Sequence, residues 1–198
     1  MATRMLFGKN RKGEDYYLKK ALDGEREGFD YLVSTYQKLA YTLAIKICGN
    51  NEDAEEVVQD SFMKAFRALD KFRSAAKFST WLYQIVYYTA LTRKSSKRIE
   101  TTELAENSES KSYLLDEKRE IGGLIQSDRK RYIDLALSRL GEEERSAITL
   151  HYLGEKSTSE IAKILDIGKS AVKMRLMRGR EKLEQSLRSL LGNEMKDL

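Results

Sequence analysis

The chain has 198 residues, 41% hydrophobic and 34% charged, with a formal charge of +5, the composition of a globular protein with room for one large domain or two small ones. It holds no proline and a single cysteine, which excludes an internal disulfide and leaves an all-α chain of helices joined by short polar turns. One histidine, one cysteine and no phosphate-binding loop are too little for a catalytic constellation, so no catalytic residue, metal ligand or cofactor is expected.

Charge is unevenly spread. Residues 1–96 are net +4, residues 97–127 net −2 and residues 128–198 net +3, an acidic middle between basic ends. Met5-Leu6-Phe7 is far shorter than the apolar core of a secretory signal, and no later run has the length of a membrane span. The expectation is a cytoplasmic protein without membrane insertion.

A short helix is predicted from Asp15 to Leu22. After Asp23-Gly24 a longer one carries Phe29, Leu32, Val33, Tyr36, Leu39, Ala40, Leu43, Ala44 and Ile47 at steps of three and four, and stops near Gly49-Asn50-Asn51. Cys48, in this apolar run, reads as a small buried side chain. The next helix places Ala54, Val57, Val58, Ser61, Phe62, Ala65, Phe66 and Leu69 inward and Asp53, Glu56, Asp60 and Lys64 outward. Asp70 to Lys77 breaks the period.

Helix resumes from Phe78 to Lys94 with a heavy aromatic load, Phe78, Trp81, Tyr83, Tyr87 and Tyr88, and runs into Arg93, Lys94, Lys97 and Arg98. Trp81, Ile85 and Tyr88 share a helical face, which suits a core. From about Ile99 to Ser127 the chain turns to Thr, Glu, Ser and Asn with a Gly122-Gly123 pair, the composition of a linker. The expected organisation is therefore a helical domain over 14–98, a flexible acidic linker over 99–127 and a second helical domain over 128–191.

In the second domain the helical period returns at Ile133, Ala136, Leu137 and Leu140 before Gly141, and at Ala147, Ile148, Leu150 and Leu153 before Gly154. His151, on the latter helix, reads as a satisfied or solvated side chain. Ser157-Thr158-Ser159-Glu160 has the spacing of a capping box, so a helix begins at Ser157. It runs through Ile161, Ala162, Ile164 and Leu165 to a turn at Asp166-Ile167-Gly168, where glycine, and less easily aspartate, takes a positive φ.

A further helix from about Lys169 buries Val172, Leu176, Gly179 and Leu183 and turns Ser170, Lys173, Met174, Met177 and Arg178 outward together. Two short helices in this spacing, the second basic, match a helix-turn-helix that sets its second helix in the major groove of DNA. A solvated basic surface helix is the plainer alternative.

At this point the chain resembles the extracytoplasmic-function (ECF) sigma factors of bacterial RNA polymerase, which keep only regions 2 and 4. YQKLAYTLAIKICGN from Tyr36, EDAEEVVQDSFMKAFRALDKF from Glu52 and KFSTWLYQI from Lys77 look like region 2. The stretch from Arg139 to Leu183 looks like region 4, and the two occur in the family's order.

The resemblance implies core RNA polymerase as partner, through its clamp helices and flap, with Asp53, Glu56, Gln59, Asp60 and Met63 forming an outward stripe on the clamp-helix contact. It implies a −10 element held by Phe72, Arg73, Ser74, Lys77, Phe78 and Trp81. Base-aromatic stacking, worth about 1–3 kcal/mol per base, would there offset strand opening. It implies a −35 element read by Lys169, Ser170, Lys173, Met174, Arg175, Met177 and Arg178, with Lys169 and Arg175 on phosphates, and an anti-sigma factor as a further partner. The chain departs from the family at Val86, Tyr88 and Thr92, where Ala, Asn and an acidic residue are usual, and at Gly141 and Asp166, where Pro and Gly are. A helix-turn-helix regulator whose N-terminal half senses a ligand remains the alternative.

Overall fold

A computed structural model of the chain describes residues 11–72, 77–104 and 124–194. The described residues form α1 (Arg11–Leu22), α2 (Arg26–Cys48), α3 (Asn51–Arg67), α4 (Phe78–Leu104), α5 (Leu124–Ser138), α6 (Glu142–Ile148), α7 (Thr158–Ile164) and α8 (Lys169–Glu194), and no strand. A 3-10 turn spans Leu69–Lys71, and a π-helical turn at Thr149–Leu153 prolongs α6.

The helix ends follow local chemistry. Gly49 takes φ 85° and returns its N–H to Ile45 O at 2.9 Å, closing α2 with the left-handed residue that glycine adopts without strain. Asn50 then opens α3 by accepting the Asp53 N–H at 2.9 Å. Nothing between Ser95 and Leu104 breaks a helix, since that stretch has neither glycine nor proline, and α4 runs past the expected end at Lys94 to Leu104. Similarly, α5 begins at Leu124, inside the stretch expected to be linker.

Helices α1 to α4 share a core of Leu32, Tyr36, Leu43 and Ile47 from α2, Val57 and Phe62 from α3, and Phe78, Leu82, Tyr83, Val86 and Tyr87 from α4. Burying an aliphatic or aromatic side chain of this size contributes about 1.5–3 kcal/mol, which is what holds four helices with such different capping together. Helices α5 to α8 pack around Leu137, Leu140, Ile148, Leu150, Ile161, Ile164, Val172 and Leu176. The two groups touch: α4 lies on α7, and α2 lies on α6 and the π-helical turn. No helix among the described residues is long and apolar enough to cross a membrane.

Two expectations are corrected. Asp53 is only 2% exposed instead of facing outward. Its carboxylate accepts from Arg93 Nε at 2.8 Å and Asn50 Nδ2 at 2.6 Å, and Lys97 Nζ lies 2.6 Å away, so α4 draws it inward. Of the expected Trp81–Ile85–Tyr88 core face, Trp81 and Ile85 are half-buried against the core and only Tyr88 turns to solvent. On α4 the inward face is Leu82, Tyr83, Val86 and Tyr87, while Tyr88 remains 43% exposed.

Candidate nucleic-acid interface

The basic helix is set up by α7 and the turn before it. Ser157 Oγ accepts the Glu160 N–H at 3.2 Å, and the Glu160 carboxylate accepts the Ser157 N–H at 2.9 Å, the reciprocal capping box expected from the spacing. Burial alone would raise the Glu160 carboxyl, but hydrogen bonds from Lys77 and Ser157 outweigh it and hold the group down at about 2. The turn uses Asp166, at φ 52°, and not Gly168, as its left-handed residue. The Ile167 N–H then bonds Ala162 O at 3.0 Å, which directs the chain into α8.

Along α8, Val172 and Leu176 are buried and Gly179 faces inward, while Lys169, Ser170, Lys173, Met174, Met177 and Arg178 are exposed. The structure thus brings six of the seven residues expected to read DNA to solvent. Arg175 is the exception: it is half-buried and pairs with Glu143 at 2.8 Å. Lys182 pairs with Glu144 at 2.7 Å. The free face of α8 is therefore a patch of cations around two methionines, offering charge to phosphates and soft apolar surface to base edges.

At the start of α4 the residues expected at the other DNA site separate. Phe78 is 1% exposed and belongs to the core, its ring 5.5 Å from Tyr36. Phe72 packs on it edge-on at 5.7 Å and tilts against Trp81 at 5.3 Å, so Phe72 and Trp81 form a half-buried aromatic ledge with Phe78 beneath. Lys77 is exposed and bound to Glu160 at 2.7 Å. Arg73 and Ser74 lie outside the described residues.

Trp81 also forms one wall of a cleft of about 500 Å³ between α3 and α4, lined by Lys64, Ala68, Gln84, Ile85, Tyr88, Thr89 and Thr92. Lys64 Nζ donates to Thr89 Oγ1 at 3.2 Å inside it. The reading of Trp81, Ile85 and Tyr88 as core concealed this cleft. The signal available in the sequence was that Gln84 and Thr92 fall on the same side of α4 as those rings; Lys64 reaches the cleft from α3, which the helical phase of α4 does not reveal.

On the outer side of α3, Glu56, Gln59, Asp60 and Met63 are exposed, Met63 by 51%, and Glu56 is drawn toward Arg93. With Asp53 removed, the expected stripe shortens to these four residues. A second apolar surface was not foreseen: Ile133, Tyr152 and Leu153 stand exposed around a groove of about 430 Å³ floored by Leu137, Ile148, Thr149 and Leu183, with Arg180 and Arg188 at its edge.

Residues 32–99 match the family model for Sigma-70 region 2, and residues 130–183 that for Sigma-70, region 4. The chain is 32% identical to the ECF RNA polymerase sigma-E factor of Haemophilus influenzae over 88% of its own length and 95% of that protein's. The chain belongs to the ECF sigma factors. The ECF RNA polymerase sigma factor SigW of Bacillus subtilis is 30% identical, over 87% of this chain and 96% of the other. In three dimensions this ECF sigma factor superposes on CnrH, solved in complex with the cytosolic domain of CnrY, with a TM-score of 0.65 at 23% identity, covering 90% of this chain and 99% of that one. Sigma factors act in transcription initiation and are not enzymes in themselves.

Membership orders the geometry. The region 2 match takes in the exposed side of α3, the aromatic ledge and the α3–α4 cleft; the region 4 match takes in the capped α7, its left-handed turn and the basic face of α8. Cys48 is half-buried against the region 2 core, and its thiol is raised to about 11 by burial first and by Asp53 second. His151 Nδ1 lies 3.1 Å from Lys156 O, a satisfied local contact.

Proposed function

We propose that this sigma factor recruits core RNA polymerase and directs it to promoters through two DNA contacts, with residues 14–98 forming the polymerase and −10 domain, 99–127 the linker and 128–191 the −35 domain. The observation that carries the reading is the free face of α8, which holds Lys169, Ser170, Lys173, Met174, Met177 and Arg178 in solvent behind a capped α7. Such a helix enters the major groove with its N-terminal residues on base edges. Lys173, Met174, Met177 and Arg178 take the −35 bases and Lys169 a phosphate. Arg175 joins them only if it leaves Glu143.

At the other site Phe72 and Trp81 supply the stacking surface and Lys77, with Arg73 and Ser74, the backbone contacts of an opened −10 strand. Phe78 supports the ledge from below and does not touch the strand. Glu56, Gln59, Asp60 and Met63 meet the polymerase clamp helices, where an acidic surface with one apolar contact steers onto a basic partner. Asp53 orders that surface from inside by fixing α3 to α4. The groove beside Ile133, Tyr152 and Leu153 is the docking place for the flap.

Two further partners or places follow. The sigma factor RpoE of Bartonella quintana, which superposes on 81% of this chain with a TM-score of 0.63, was solved in complex with the anti-sigma factor NepR, which supports an anti-sigma factor as a partner here as well. Polymerase and chromosome lie in the bacterial cytoplasm, so that is where the protein works. The direct experiment is gel filtration of the purified chain with core RNA polymerase: co-elution is expected. Separate elution, with duplex DNA still bound, would instead favour a regulator that works without polymerase.

A further inference from the structure

We infer that this sigma factor is switched off by oxidation of its surface methionines: sulfoxides at Met174 and Met177 release promoter DNA, and a sulfoxide at Met63 releases the polymerase. The inference rests on the functional reading above for what each face binds. The chemistry rests on where the sulfurs stand.

Methionine is ordinarily a filler of irregular gaps in a core. Here the buried hydrophobic positions among the described residues are all Leu, Ile, Val, Ala, Phe or Tyr. The three methionines among the described residues stand on the surface instead, Met63 exposed by 51%, Met174 by 43% and Met177 by 42%. Met174 and Met177 are three residues apart on α8, which sets them side by side on one face, with Lys173 and Arg178 beside them. Met63 is the one apolar side chain in the exposed row of Glu56, Gln59, Asp60 and Met63 on α3. Every described thioether thus lies on a face assigned to a partner.

The single thiol does not shield them. Cys48 is half-buried, and its raised value keeps it protonated at neutral pH, whereas the thiolate is the form that oxidants attack. A peroxide therefore meets the exposed thioethers first. The sulfur lone pair attacks one peroxide oxygen, an S–O bond forms as the O–O bond breaks, and the departing hydroxide takes the proton left on the new oxygen. Sulfur loses two electrons, and hydrogen peroxide becomes water.

The product changes what each face can bind. A sulfoxide is polar and accepts hydrogen bonds but has none to donate. In the major groove, acceptors and thymine methyls outnumber donors, and phosphates offer acceptors alone, so the new oxygen loses water without gaining a partner. The donors on its own face, Lys173 and Arg178, are the cations that the DNA needs. On α3 the sulfoxide replaces the single apolar contact of the acidic stripe. Bound partners cover the same sulfurs, so oxidation acts on the free chain, and sulfoxide reductases, one for each epimer, reverse it.

The test treats the full chain with hydrogen peroxide, locates the sulfoxides by peptide mass spectrometry, and measures co-elution with core polymerase and the yield of chain-dependent starts on genomic DNA. Met63→Leu and the triple variant Met63→Leu/Met174→Leu/Met177→Leu are each compared with themselves before and after peroxide. In the wild type all three sulfurs should oxidise, core affinity and start yield should each fall about tenfold, and the two reductases together should restore both. Met63→Leu should keep its core affinity through the treatment and still lose start yield; the triple variant should lose neither. Sulfoxides at all three positions with both readouts unchanged, or a triple variant as sensitive as the wild type, would overturn the switch. Failure of the untreated wild type to bind core or select starts would overturn the functional reading along with it, and is told apart because it precedes any peroxide.

Discussion

Gly179 stands so close to Ile148 that a Cβ on it would lie 2.8 Å from Ile148 Cγ1 and 3.2 Å from Cδ1. The reading helix and α6 are in contact through a position where only hydrogen fits. Gly179→Ala gains helix propensity of about 1 kcal/mol but overpacks a formed core, which typically costs about 1–3 kcal/mol. The expected net effect is a loss of roughly 1 kcal/mol in urea unfolding, with weaker DNA binding as α8 shifts. Unchanged stability would show that Ile148 moves aside freely.

Asp166 holds φ 52° in the turn that aims α8. An L-residue in this region is strained by roughly 1–2 kcal/mol, part of which aspartate relieves locally. Asp166→Gly should raise stability by about 0.5–1 kcal/mol without changing the DNA site. Thermal unfolding measures it, and a lowered midpoint would contradict the strain.

How much of this was legible beforehand differs by residue. The capping box at Ser157 and Glu160, the inward Val172, Leu176 and Gly179, and the stop at Gly49 follow from local spacing, and the structure keeps them. Asp53 was misplaced because its burial depends on Arg93 and Lys97, which lie on another helix and out of reach of any helical-phase argument. The Trp81–Ile85–Tyr88 face was misassigned for a related reason. Phase identifies a face but not which neighbour covers it, and here the core lay under Leu82 and Tyr83. The seam between the groups, where α7 lies on α4 and α6 on α2, has no sequence period at all.

Asp53 and Glu160 predict the acid limb of stability. Burial raises the Asp53 carboxyl, but bonds from Lys97, Asn50 and Arg93 outweigh that and hold it at about 2, against an ordinary 3.8. Since the folded value is the lower one, the unfolded chain takes up protons first as pH falls. The stabilisation is complete above about pH 5 and is lost between about 4 and 2. Denaturation midpoints measured across that range should drop, and Asp53→Asn should flatten the drop while costing about 1–2 kcal/mol at neutral pH, because Arg93 and Lys97 are partly exposed and can resolvate. An equal slope in the variant would mean that the fold does not lower the Asp53 carboxyl.

Lys173→Ala and Arg178→Ala should weaken binding of a −35 duplex by about 1–3 kcal/mol where the contact is a base edge, or reduce the salt dependence by roughly one ion where it is a phosphate. Binding to core polymerase should be unaffected. Fluorescence anisotropy over a range of salt separates the two cases, and wild-type affinity in both variants would move the reading face elsewhere on α8.

Asp60→Arg sets a like charge on the exposed side of α3, beside Met63. Association with core polymerase should fall by about 1–3 kcal/mol with folding unchanged. Co-elution at wild-type affinity would exclude this face as the clamp contact.

Promoter selection by a two-point grip is open to one decisive experiment: transcribing genomic DNA with core polymerase in the presence and absence of the chain and sequencing the 5′ ends. Start sites seen only when the chain is added are expected, preceded by two shared short elements, with loss of the upstream element's influence in Lys173→Ala. Start sites identical with and without the chain would contradict it.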